Sequence, residues 1–169
     1  MTVEQYLEFL IGRYRGTGIL VDTNLLLLYF VGAYDPEQIV RFKRAADRFA
    51  PEDFDTLNAL LGQFDKVVIT PHILTEVSNL LGQLSGSVRR SCFEAFGQSI
   101  RRLMSEQYAS GRTLSGDPAF VKFGITDVSI LEVASRNHLV VTDDFALSGY
   151  LTSKNLDVLN FNNIRTLNY

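Results

Sequence analysis

The chain has 169 residues, enough for one domain that buries on the order of 70% of its extended-chain surface. A single cysteine, Cys92, excludes an internal disulfide framework and a thiolate metal site; it reads as a small core residue in a reducing cytoplasm. The net charge of −3 speaks against a basic surface that coats nucleic acid, although basic clusters around an acid-filled site give the same total.

Val3, Tyr6, Leu7, Leu10, Ile11 and Tyr14 recur at helical spacing, so the chain opens with an amphipathic helix. That stretch is charged throughout and has neither the basic start nor the apolar middle of a secretion signal. Next come the aliphatic residues Ile19, Leu20 and Val21, the polar trio Asp22-Thr23-Asn24, and a second apolar run from Leu25 to Val31. A short buried strand ending on an acid, with a helix beginning beyond it, pins Asp22 at the carboxyl edge of a sheet. Asp22 also suits a plain helix N-cap, and this stretch alone does not separate the two roles. The trio interrupts the longest apolar stretch, which is too short to span a bilayer. A soluble, cytoplasmic protein with no membrane partner is expected.

Asp35-Pro36-Glu37 starts a helix expected to reach Phe49, and Pro51 opens another with Phe54, Leu57, Leu60, Leu61 and Phe64 on one face. Arg41, Lys43, Arg44 and Arg48 along this region read as a solvated face, with phosphate binding as the alternative. Val67-Val68-Ile69 is a second buried strand, and Thr70-Pro71 caps a helix carrying Ile73, Leu74, Val77, Leu80, Leu81 and Leu84. A long helix is expected from Val88 to Tyr108, then a flexible loop from Gly111 to Pro118 and a helix from Thr126 to Asn137. Leu139-Val140-Val141 is a third strand ending at Thr142-Asp143-Asp144; a short helix (Phe145 to Leu151) and a last strand (Asp157 to Phe161) follow. This alternation predicts an α/β fold around a mainly parallel sheet of about four strands. Residues 1–17 form a helical extension and residues 83–122 a helical insert and loop within a single domain, 1–169.

A few acids are out of place. Asp127 shares a helix face with Ile130, Leu131 and Ala134, where a carboxylate is costly unless something pairs with it. The helix dipole at Thr126 accounts for the turn in which it sits but not for the face. Glu76 borders the apolar stripe of its own helix, and Asp143 and Asp144 repeat the strand-then-acid pattern of Asp22. Adjacent parallel strands should bring Asp22 and Asp143 or Asp144 to one edge, with Asp127 and Glu76 nearby. Four carboxylates within about 5 Å would repel by roughly 3 kcal/mol per pair at an effective dielectric near 20. A cation relieves that repulsion; with no His or Cys in the set it should be oxygen-loving, Mg²⁺ or Mn²⁺.

ILVDTNLLL, the helix glutamate in TPHILTEVSNLL, ITDVSILEVA and VVTDDFAL, in this order, resemble the motifs of the PIN-domain nucleases, and the closing VLNFNNIR is similar to their last-strand segment. The resemblance covers Ile19 to Arg165. It implies a Rossmann-like α/β/α sandwich and a Mg²⁺- or Mn²⁺-dependent endonuclease acting on RNA, with single-stranded RNA as partner. By motif, Asp22 and Asp127 become metal ligands and Glu76 a ligand or water-positioning acid. Thr23 and Thr142 support the site through their hydroxyls. The T-x-D pattern places the fourth acid on Asp144, with Asp143 also available. Toxin-type members add an antitoxin or other regulatory protein and a homodimer as partners; the leading helix and the insert make this chain larger than those compact members.

Two other classes compete. A phosphotransfer protein of the haloacid type wants an acid two residues past its nucleophile, where this chain has Asn24. A receiver domain wants an acid pair before the phosphorylated aspartate, and Ile19-Leu20-Val21-Asp22 has none. The third class is a PIN-like scaffold that binds without cutting.

Overall fold

The computed structural model describes residues 1–168; Tyr169, the last residue of the expected domain, lies outside the described residues. The first helix, α1 (Val3–Tyr14), starts on a capping box in which Thr2 and Gln5 satisfy each other's backbone N–H groups. It leads into β1 (Ile19–Val21) and α2 (Thr23–Tyr34). The three strand residues and most of α2 are buried because this run is apolar on every side. Gly32 is required by packing: a Cβ there would stand 2.5 Å from the ring of Phe54.

The helix expected from Glu37 to Phe49 is instead two short pieces, α3 (Glu37–Arg41) and α4 (Lys43–Ala46), because Phe42 takes an extended conformation between them. Helix α5 (Pro51–Leu61) begins on its proline and leads to β2 (Val67–Ile69), and α6 (Pro71–Leu81) follows on Thr70, whose hydroxyl accepts the Ile73 N–H.

Helix α7 (Gly86–Arg102) ends earlier than its periodicity predicts, and Met104–Glu106 forms a further strand, β3. The sheet therefore has five strands rather than about four, and part of the presumed insert belongs to it. Leu103, assigned by spacing to the apolar stripe, is 65% exposed at the junction. The stretch expected as a loop contains a short helix, α8 (Gly111–Leu114). In α9 (Phe120–Ala134), Gly124 breaks the helix at φ 80°, a conformation open to glycine, so the continuous helical segment resumes close to the expected Thr126. The remaining elements are β4 (Leu139–Thr142), α10 (Phe145–Ser153), β5 (Val158–Asn160) and α11 (Phe161–Arg165); the last strand gives way to a helix at Phe161.

All the pairings are parallel, in the order β3-β2-β1-β4-β5. The steps from β1 through β3 and from β4 to β5 run in opposite directions across the sheet, and crossovers of the usual right hand send the helices of such steps to opposite faces. The result is a Rossmann-like α/β fold. Among the described residues no helix is long and apolar enough to cross a membrane. Cys92 is fully buried, as expected of a core residue.

Candidate functional site

β1 and β4 are neighbours at the centre of the sheet, and the chain leaves them toward opposite edges. A crevice opens at the carboxyl ends of such a pair because the helices that follow diverge. Asp22 is the first residue after β1, and Asp143 and Asp144 directly follow β4. A cleft of about 380 Å³ lies there, and Asp22, Glu76, Asp127 and Asp144 all line it.

Asp22 is a helix cap and a cleft residue at once. Its Oδ1 accepts the Leu25 N–H at 3.1 Å, which caps α2. Its Oδ2 accepts the Thr142 hydroxyl and, at 3.3 Å, the Asp143 N–H. The side chain is only 5% exposed. Burial, and after it the charge of Asp143, push its pKa up to about 7, against the lowering effect of those three hydrogen bonds. Desolvation wins because the three donors are neutral and no cation reaches either oxygen among the described residues.

Asp127 is half-buried and accepts no hydrogen bond among the described residues. Burial, followed by the charges of Asp144 and Glu76, raises its pKa to about 6. The last two contributions place Asp144 and Glu76 within electrostatic reach of Asp127. Glu76 is exposed and its Oε2 accepts the Thr23 hydroxyl at 2.9 Å. Asp144 caps α10 through the N–H groups of Ala146 at 2.7 Å and Leu147 at 2.9 Å. The Thr142 hydroxyl joins the two strand ends: it donates to Asp22 and accepts the Asp144 N–H at 3.0 Å.

Asp143 turns away from the cleft. Its carboxylate receives Arg48 at 2.8 Å and Asn24 at 3.3 Å, and its carbonyl receives Asn162 at 2.7 Å. Of the two acids left open by the sequence, Asp144 lines the cleft and Asp143 is bound to an arginine.

The acids do not stand in the tight cluster expected from the sequence. Among the described residues no group of three or more His, Cys, Asp or Glu side chains is disposed to hold a metal ion. Each acid except Asp127 is instead held by a local hydrogen bond, and like charges in a half-buried cleft favour separation. The chemistry of the donors nonetheless fits a hard cation. They are all carboxylate oxygens, and the charged form of two of them is disfavoured until positive charge arrives.

Five polar cleft residues were not singled out as site residues from sequence: Asn24, Arg44, Arg48, Asn79 and Gln83. Asn79 follows Glu76 at i+3, so the helical period already places it on the same face of α6, whereas Gln83 lies in the turn just past the end of that helix. Asn24 is adjacent to the Asp22-Thr23 motif. Arg44 and Arg48 belong to the basic run read as a solvated face with phosphate binding as the alternative; that they approach the acids depends on how α4 and the residues after it fold back toward α2. Compared with protein-family models and with curated proteins, the chain matches none of them.

Proposed function

We propose that this protein is a PIN-type endoribonuclease that hydrolyses single-stranded RNA with Mg²⁺ or Mn²⁺. One observation carries the reading: Asp22, Glu76, Asp127 and Asp144, drawn from four separate elements, line one cleft at the carboxyl edge of a parallel sheet, with Arg44 and Arg48 in the same lining. Helix capping accounts for Asp22 and Asp144 singly but not for four acids, without a cation of their own among the described residues, gathered at one crevice, so the arrangement is better explained by what it binds.

Asp22, Glu76, Asp127 and Asp144 would hold the cation. A bound divalent ion supplies a water of lowered pKa and offsets charge on a phosphate oxygen. The chain's own residues set the geometry around it. Leu25 N–H and Thr142 fix the rotamer of Asp22, and Thr23 orients Glu76 while leaving Oε1 free of any hydrogen bond among the described residues. The expected products carry a 3′-hydroxyl and a 5′-phosphate.

The test is cleavage of a defined single-stranded RNA by purified protein in Mn²⁺ or Mg²⁺. Activity should vanish with EDTA and with Asp22→Asn; activity that survives both sinks the proposal. A second reading, a PIN-like scaffold that binds without cutting, is favoured by the absence of a preassembled three-acid group among the described residues. Calorimetric titration with Mn²⁺ separates the two, because a scaffold should show no tight divalent site.

A further inference from the structure

A second depression adjoins the carboxylate cleft. Gln83 lines the cleft and also lines a second concavity of about 190 Å³, in which Arg41 and Ser85 stand. The two depressions lie side by side, with Gln83 common to both, between the α3–α4 segment and the end of α6. Arg44 stands in the first part and Arg41 in the second. Among the described residues neither guanidinium meets an acid, a hydrogen-bond acceptor or an aromatic ring, and both are exposed.

Arg48 differs. Its guanidinium is held at 2.8 Å by the buried carboxylate of Asp143, and its backbone carbonyl accepts Arg165 at 2.9 Å. It is committed to the protein, so its charge is partly neutralised before any ligand arrives. Two free guanidiniums in adjoining depressions, the first of them shared with the acids, suit a chain of phosphodiesters. With one phosphate at the acids, its neighbours would meet planar donors that bind phosphate with two parallel bonds.

Resting on the nuclease reading, we infer that Arg44 and Arg41 form a phosphate track that leads the RNA strand from the carboxylates past Gln83, and that Arg48 is a positioning residue and not part of the track. The track would set two uncompensated guanidiniums beside the acids, so a protein of net charge −3 can still present local positive charge to a polyanion.

Binding of a fluorescein-labelled oligouridine dodecamer, followed by anisotropy in EDTA so that no cleavage intervenes, tests the track across a series of salt concentrations. Each phosphate contact on a single strand contributes about 0.7 to the slope of log affinity against log salt. Arg44→Ala and Arg41→Ala should each reduce the slope by about that much and weaken binding about fivefold near 0.1 M salt, with the double variant showing the sum. Arg44→Lys and Arg41→Lys should restore the slope, since they keep the charge. Arg102→Ala, an equally exposed arginine at the end of α7, should change nothing. An unchanged slope in the double variant, or an equal loss in Arg102→Ala, overturns the track while leaving metal-dependent cleavage by the unaltered protein intact. Failure of the unaltered protein to bind the dodecamer overturns the track, while the nuclease reading stands or falls separately on metal-dependent cleavage.

Discussion

The protein buries aspartates in two contrasting settings. Asp53, on the first turn of α5, is 3% exposed; its Oδ2 accepts Arg165 at 3.1 Å and the Ala50 N–H at 2.9 Å. Asp22 is 5% exposed and meets only neutral donors. A carboxylate with its own guanidinium is a finished structural element, tying α11 to α5. One that is equally buried but lacks a cation is a deficit held in reserve. Asp143 belongs to the first kind through Arg48, and Asp127 to the second. Charge compensation thus separates the acids tied into the fold by an arginine from the uncompensated acids of the cleft, where burial alone does not.

The sharpest break in that contrast comes from isosteric substitutions. Asp22→Asn should reduce metal-dependent RNA cleavage below detection while leaving the melting temperature at pH 8 unchanged or higher, because it removes an uncompensated buried charge. Asp53→Asn should do the opposite in urea denaturation: it weakens the bond to Arg165 and lowers the unfolding free energy by about 2 kcal/mol. A loss of stability in Asp22→Asn as large as that in Asp53→Asn would erase the distinction.

The pH dependence sharpens it further. Asp22 titrates near 7 in the folded chain and Asp127 near 6, against about 3.9 for an unfolded aspartate. Between these values the folded state holds more protons than the unfolded one, so stability falls as pH rises. The contribution of Asp22 is full below about pH 4 and is lost as pH climbs through about 7; that of Asp127 is lost through about 6. Thermal melts of the unaltered protein across this window should show the decline, and Asp22→Asn should flatten it. Mn²⁺ should raise the melting temperature more at pH 8 than at pH 5, since it binds the ionised acids.

Two smaller effects probe the supporting hydroxyls. Thr142→Val removes a donor to Asp22, so its pKa rises further and the acid limb of the cleavage profile moves to higher pH. Thr23→Val frees Glu76, an exposed side chain, and should lower kcat only a few-fold, on the scale of about 1 kcal/mol for one hydrogen bond. A larger loss in Thr23→Val than in Thr142→Val would reverse the ranking of the two acids.

Much of this was legible in the chain. Ile19-Leu20-Val21 and Leu139-Val140-Val141 are too apolar to be anything but buried strands, and each runs into polar residues that cap a helix. The edge strand β3 was not legible. Met104-Ser105-Glu106 is polar and half-exposed, and it continues a helical rhythm set by Phe96 and Ile100; pairing with β2 overrides that local preference. The break at Phe42 left no mark either, since no Gly or Pro announces it.

By itself, then, the sequence determined that acids would stand at strand ends and helix starts, because hydrophobic period and capping chemistry act over a few residues. Only the tertiary structure decided which acids are compensated. Arg48 reaches Asp143 across 95 positions and Arg165 reaches Asp53 across 112, so no local pattern carries either pairing. The choice between Asp143 and Asp144 followed from the same cause. Adjacent in the chain, they point to different partners: one is spent on an arginine, and the other faces the cleft beside Asp22.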